Sequence, residues 1–499
     1  MADVDPTFTE LPLHRLADAA LQRARDFGAT HADFRIERLR SQTIAMRDGS
    51  LEGTHDGEQL GLCVRVIVDG TWGFASTFDL TTTSAVRTTE EAVRVAHVSA
   101  PVSPQRIELA PEPVHRRAVW VSAYDVDPLA VPLDDKVALL RDWSEGLRAA
   151  PVVAHAIAYL EQYVENKFYA DLSGTSTTQQ RVRLHPELEI HGERDGRIDS
   201  MRTIAPPVGR GWEYLTDGSY DWAGELAAMP DQLAEKLAAP SVEPGTYDLV
   251  IEPTNLWLTI HESIGHATEL DRALGYEANF AGTSFATYDQ LGKLQYGSPI
   301  MHVTGDRTVE HGLATIGYDD DGVEAQSWDL IRDGVLVGYQ LDRSTAALKG
   351  YDRSNGCAFA DSPAHVPLQR MANVSLQPAA DGPDTTDLIA DVERGLYVVG
   401  DKSWSIDMQR YNFQFTGQRF YRIENGELKG QVRDAAYQAT TTDFWRSMSA
   451  VGGPQTWQLC GAFNCGKAQP SQVASVSHGA PSALFRDVSI LNTQAESGR

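Results

Sequence analysis

The sequence predicts an α+β fold of two domains, with antiparallel sheets and flanking helices, and three observations carry that prediction. The chain has 499 residues, 42% of them apolar, which is more than one hydrophobic core usually organises. Alternating stretches meet at tight-turn dipeptides at Asp48-Gly49, Asp69-Gly70, Asp195-Gly196, Asp333-Gly334 and Asn425-Gly426. Each pairs a residue that tolerates left-handed backbone with a glycine, the chemistry of a two-residue hairpin turn. Helical periodicity is grouped in separate stretches, which suits helices beside antiparallel sheets better than alternating βαβ units.

The first element is a helix over 11–27, where Leu13, Leu16, Ala20, Leu21 and Ala24 recur at helical spacing and Gly28 is the stop. Hairpins follow in "IAMRDGSLEG" and "VRVIVDGTWGFA", and helical stretches near 85–98 and 134–149. Residues 230–253, "PDQLAEKLAAPSVEPGTYDLVIEP", read as a helix, a connector containing Pro and Gly, and a strand. The connector places a domain boundary near residue 242, giving an N-terminal α+β domain over 1–241 and a β-rich C-terminal domain over 242–499. "YDLVIEP" ends at Pro253, which suits the first turn of a helix running through "TNLWLTIHESIGHATELDRAL".

Charge and composition exclude several classes. A net charge of −26 argues against nucleic acid or anionic membrane as a partner, since both require basic surface. No stretch approaches ~18 uninterrupted apolar residues, and the start has no basic segment followed by an apolar run, so a cytoplasmic protein is expected. Cys63, Cys357, Cys460 and Cys465 are too sparse for a disulfide framework. No GxSxG elbow or GxxxxGK[ST] loop occurs, which lowers the expectation of a serine hydrolase or a nucleotide-dependent enzyme.

The chemistry concentrates in "HESIGH", residues 261–266. Two histidines beside a glutamate suit a metal site in which the ion acidifies a water and the carboxylate takes its proton. The five-residue spacing is the obstacle: on a regular α-helix His261 and His266 would point roughly 140° apart. A single π-turn would return them to one face, and Gly265 is a place for the backbone to yield. The bland alternative is a pair of hydrogen-bonded helix histidines. A catalytic zinc needs a third ligand. Glu269 and Asp271 suit a ligand, a partner holding an imidazole or a solvated helix-end charge, the last two being favoured. Cys465, in "GAFNCGKAQP", has a turn-like context and a neighbouring Lys467 suited to lowering its thiol pKa. Cys63 sits in an apolar alternating strand as a core residue, and Cys357 and Cys460 are read as structural.

Taken together, "GATHADFRIERLRSQTIAMRDGSLEG", "GLCVRVIVDGTWGFAS", "HESIGHATELD", "YDDDGVEAQSWDLIRDGVLVGYQLDR", "HVPLQRMANVSLQP" and "NCGKAQP" resemble the TldD/PmbA family of metallopeptidases, also called the modulator of DNA gyrase family, nearly end to end. The resemblance implies that His261, His266 and Cys465 bind one Zn2+ and that Glu262 is the general base for peptide hydrolysis. It implies unfolded or flexible peptides as substrates, held in an internal cavity. It also implies a dimer, of this chain with itself or with a paralogous subunit lacking the metal motif. "DKSWSIDMQRYNFQF" and residues 441–463 depart from the family's familiar forms, which bears on substrate range and partner choice. Main-chain pairing of the peptide as an added strand would give broad specificity. The rival reading is a non-catalytic peptide-binding or assembly subunit with a structural metal site.

Other stretches read as structure. "YDDDG", 318–322, lacks the spaced ligands of a calcium loop and is expected to be a turn. His302, His311, His365 and His478 have no ligand spacing. Arg370 suits either a peptide carboxylate or a structural salt bridge.

Overall fold

The computed structural model describes residues 3–103 and 105–496. Its first sheet is built from β1 (His31–Arg47), β2 (Ser50–Val68), β3 (Thr71–Thr77), β4 (Ala118–Val121), β5 (Val153–Asp171), β6 (Ser176–Arg194) and β7 (Arg197–Arg202). The order is β3-β2-β1-β5-β6-β4, with β7 on β6. All pairs are antiparallel except β4 with β6. β2, β5 and β6 have 19 residues each, or about 60 Å at ~3.3 Å per residue. Ribbons this long carry two cores. Near one end, helices Leu13–Asp26 and Thr82–Ser99 cover Phe34, Ile36, Leu62, Val64 and Val66; at the other, Leu133–Arg148 and Trp222–Ala238 cover Ile44, Met46, Leu160, Leu188 and Ile190.

The turn chemistry acts as the sequence implies. Asp48, Asp69, Asp195, Asp333 and Asn425 take φ of +51° to +52°, and the glycines after them +73° to +77°. One helix boundary differs. The helix expected from Pro230 starts at Trp222, capped by the Asp221 carboxylate on the Gly224 N–H, and Pro230 lies inside it. Burial of Trp222 and Met229 against β6 and its neighbours outweighs the break that a helical proline invites.

The second large sheet is organised around β8 (Gly245–Ile251). It runs Arg394–Ile406, β8, Ala483–Asn492, Ala435–Thr440, Asn412–Glu424, Glu427–Val432, and Arg394–Ile406 pairs again with Asn412–Glu424. Five strands thereby close on one another, which leaves fewer unpaired edges. Helix Pro253–Ile260 leaves β8 and is buried at every residue, the expectation for a helix apolar all round. Its one amide, Asn255, donates to Gly400 O (3.0 Å) and Thr416 O (3.1 Å) and accepts from the Tyr437 hydroxyl (2.8 Å), fixing the helix to three ring strands. Hairpin Gln458–Lys467/Gln472–Ala480 packs on strand Asn373–Leu376 through Ser477 N–H to Asn373 Oδ1 (3.1 Å) and Gly479 N–H to Ser375 Oγ (2.9 Å).

The "YDDDG" segment is a turn, with Gly322 at φ +76°, and its carboxylates are buried against the first sheet. Asp320 meets Lys167 Nζ at 2.9 Å and Arg35 Nη1 at 3.1 Å, and Asp321 pairs with Arg65. Asp319 accepts backbone N–H groups from Asp321, Val323 and Ala358. Its oxygens are committed to the fold.

Candidate metal centre

A shared ion would require a wide turn between His261 and His266, and the chain makes one. Helix Pro253–Ile260 passes into a π-turn over His261–Gly265, then a 3-10 turn over His266–Thr268. The widened turn frees carbonyls, and side chains take them up: the Tyr296 hydroxyl donates to Ser263 O and Gln340 Nε2 to Gly265 O (2.7 Å). The two imidazoles come to 4.6 Å between ring centroids. The motif does not lie mid-helix, as expected, but where the helix ends; Glu269 is extended (ψ 117°) and bridges Gln340 before a short helix, Leu270–Ala273. Gly265 is helical, at φ −53° and ψ −60°. Its lack of a side chain serves packing, since a Cβ there would stand 2.5 Å from Met371 Sδ.

Cys465 arrives from strand Gln458–Lys467 and not from a turn. Pairing shifts from Ala462↔Val476 to Cys465↔Ala474, one extra residue, and such a bulge re-aims the side chain after it. Arg370, 2% exposed, secures the hairpin by donating to Cys465 O and to Gln472 O (2.9 Å). Among the described residues it forms no salt bridge; backbone carbonyls hold it. Ligand atoms of His261, His266 and Cys465 lie within 4.8 Å of one another, all buried.

Hydrogen bonds fix which imidazole nitrogen faces the cluster. His478 Nδ1 lies 2.8 Å from Val374 O and must donate to it, which leaves Nε2 to accept from His261 Nδ1 at 2.7 Å. His261 therefore keeps a free Nε2 lone pair. Likewise His266 Nδ1 donates to Glu269 Oε2 (2.9 Å), and His266 Nε2 sits 3.7 Å from Cys465 Sγ. A tetrahedral ion ~2.0–2.3 Å from each donor would hold nitrogen and sulfur roughly 3.5 Å apart, so this donor set fits a zinc-like cation. Burial pushes both histidines below the usual imidazole range, keeping them neutral. Burial raises the Cys465 thiol, but His266 in its protonated form, and after it Arg370, bring the thiol below its ordinary value. Lys467, expected to do this, is spent on Glu269 (3.1 Å), Asp271 (2.8 Å) and Gln369 O (2.8 Å). Glu269 and Asp271 thus hold His266 and Lys467. Cys63 and Cys357 are buried thiols pushed up to about 11 and 12 by burial, and burial also raises Cys460.

Glu262, 5% exposed, follows the first histidine, and its carboxylate is held by the Arg410 guanidinium. His478 and Arg410 are the two neighbours that sequence reasoning missed. His478 had no spacing signal, and Arg410's only mark was its place in the "DKSWSIDMQRYNFQF" departure.

The arrangement defines an α+β protein with a buried His–His–Cys cluster able to hold a metal ion beside a carboxylate. Family profiles agree. Residues 244–492 match the PmbA/TldA metallopeptidase C-terminal domain and residues 32–96 the PmbA/TldA metallopeptidase domain 1. The chain belongs to the PmbA/TldD metallopeptidase family. It is 25% identical to a metalloprotease of Methanocaldococcus jannaschii, over 84% of this chain and 89% of that protein. It is 22% identical to a zinc metalloprotease TldD homolog of Saccharolobus solfataricus, over 92% and 96%. Its fold matches TldE from Thermococcus kodakarensis with a TM-score of 0.73 at 17% identity, covering 95% of this chain and 99% of that one. A Thermotoga maritima structure, whose name proposes modulation of a DNA gyrase, matches with a TM-score of 0.75 at 16% identity, over 96% and 100%.

Proposed function

We propose that this chain is a zinc-dependent peptidase acting on unfolded or flexible peptides in an internal cavity. His261, His266 and Cys465 are its metal ligands, Glu262 its general base, and residues 242–499 the domain that carries them, packed on a domain over 1–241. One observation carries the reading: three buried donors, two with lone pairs fixed by hydrogen bonds, converge beside a buried carboxylate. Bound zinc would polarise the carbonyl and acidify a water. Glu262 takes the proton of that water and delivers it to the leaving amine, while His478 and Glu269 keep the imidazoles in their ligating tautomers. A structural site would want a fourth ligand; the nearest histidine, His478, has both nitrogens engaged, which disfavours the non-catalytic reading. The protein works as a dimer, with a paralogous subunit or with a second copy of itself. Among the described residues no helix is long and apolar enough to cross a membrane, in keeping with the cytoplasmic placement we propose.

The test is metal content together with hydrolysis of an unstructured peptide, with and without a paralogue. Glu262→Gln is expected to keep zinc and lose about 10²–10⁴-fold in kcat, and Cys465→Ser to lose the metal. Zinc retained in Cys465→Ser, or hydrolysis indifferent to Glu262, would overturn the reading.

A further inference from the structure

Arg410 stands at the tip joining strands Arg394–Ile406 and Asn412–Glu424, and the fold spends several interactions to place it. Its backbone is left-handed, at φ +63°, a conformation unfavourable for a side chain with a Cβ and persistent where the surroundings over-determine it. Asp407 imposes the tip by accepting the backbone N–H groups of Gln409 (3.0 Å), Tyr411 (2.8 Å) and Asn412 (3.0 Å). Arg410 O accepts from Thr441 Oγ1 at 2.7 Å. From the other side, Thr283 N–H and Phe285 N–H donate to Met408 O (2.7 Å) and Gln409 O (2.9 Å). Gly282, at φ +86°, lets residues 282–285 approach so closely that a Cβ would stand 2.0 Å from Met408 O.

The side chain so delivered is 14% exposed. Nη1 donates to Glu262 Oε2 and Nη2 reaches Ala281 O at 3.5 Å. Nε is buried and has no acceptor among the described residues. A buried donor without an acceptor is unfavourable in a resting protein and useful where negative charge will appear.

We propose that Arg410 is a further active-centre residue, which orients the Glu262 carboxylate in the free protein and donates to the oxygen that becomes negative on the scissile carbonyl. This rests on the peptidase reading above. As the water oxygen bonds to the carbonyl carbon, the C=O π pair moves to oxygen and the water's proton to Glu262. The C–N bond then breaks and that proton passes to nitrogen. Arg410 keeps its protons throughout and supplies hydrogen bonds alone.

The test compares wild type, Arg410→Ala and Arg410→Lys as zinc-loaded protein, reading kcat and KM, metal content, and calorimetric affinity for a phosphinic peptide, whose tetrahedral anion mimics the reacting carbonyl. Arg410→Ala is expected to lose about 10²–10³-fold in kcat, as for loss of one oxyanion donor. Phosphinic affinity should fall in proportion, with KM and metal content nearly unchanged. Arg410→Lys, which keeps the charge but not the fork, should recover part of the loss, and millimolar guanidinium should partly rescue Arg410→Ala but not Glu262→Gln. Should Arg410→Ala fail to fold, Arg410→Lys decides alone, by a tenfold or greater loss in both kcat and phosphinic affinity. Wild-type kcat and phosphinic affinity in the variants, or a change in KM alone, would overturn the role of Arg410. A wild type that neither hydrolyses peptide nor binds the phosphinic mimic would instead overturn the peptidase reading itself.

Discussion

Two buried polar regions of this molecule differ in how their charges are met: the seam between the first sheet and residues 319–321, and the His–His–Cys centre. In the seam, cation and anion alternate. Asp320 lies between Arg35 and Lys167, Arg65 between Asp33 and Asp321, and Glu165 meets Arg181 and Arg183 at 2.8 Å each. At the centre, two imidazoles that burial holds below their usual range converge with a thiol, while the nearby guanidiniums are engaged elsewhere, Arg370 with backbone carbonyls and Arg410 with Glu262. A dense polar cluster is therefore not the mark of a cation site. The mark is converging lone pairs whose other hydrogen-bonding atoms are already satisfied. By that criterion the carboxylates of "YDDDG" are structure and the donors around "HESIGH" are the candidate site.

The sharpest way to break the comparison is to remove one seam charge. Asp320→Ala removes the nearest carboxylate from two buried cations, leaving Arg35 and Lys167 with Glu37 at 3.5 and 3.6 Å, and is expected to cost about 3 kcal/mol in urea unfolding. Metal-free Cys465→Ser should change stability by only the ~1 kcal/mol of an ordinary substitution. Equal losses would mean that the two regions are energetically alike.

A second effect is expected from Glu37, fully buried at the same seam, which burial raises to about 7 from an ordinary 4.5. Its neighbour Glu165 goes the other way: burial raises it, but Arg181, Lys167 and Arg183 more than offset this. Because the folded pKa of Glu37 is raised, the stability it contributes is fully present below pH 4.5 and is lost as pH rises through 7. Glu37→Gln should flatten the stability profile across that window; an unchanged slope would assign the pH dependence elsewhere.

The smallest expected effect is at the centre. His478→Phe keeps bulk but removes the acceptor that orients His261, and should weaken zinc binding about 10–100-fold in chelator competition. The seam, measured by unfolding of the metal-free protein, should not respond. Unchanged affinity would show that packing alone sets the His261 tautomer.

Much of the fold was legible because its signals are local. Each Asp-Gly or Asn-Gly pair can satisfy a two-residue turn by itself, and the helices at Leu13–Asp26, Thr82–Ser99 and Leu133–Arg148 follow apolar spacing. The start of Trp222–Ala238 was missed because burial overrode Pro230, and the break at Glu269 because its cause, pairing with Gln340, lies far along the chain. Cys465 entered through family resemblance; its residues alone left it among several thiols.

The sequence by itself determined the turns and most of the helices, and it set a condition on the motif: His261 and His266 share one face only if the helix widens into a π-turn. Only the tertiary structure decided what surrounds them. His478 reaches His261 across 217 residues of sequence, Arg410 reaches Glu262 across 148, and Lys467 reaches Glu269 across 198. Tautomer, ionisation and the direction of a lone pair depend on such contacts, which local periodicity does not encode. They exist only once the closed ring of strands, the bulged hairpin and the strained tip at Arg410 are packed together.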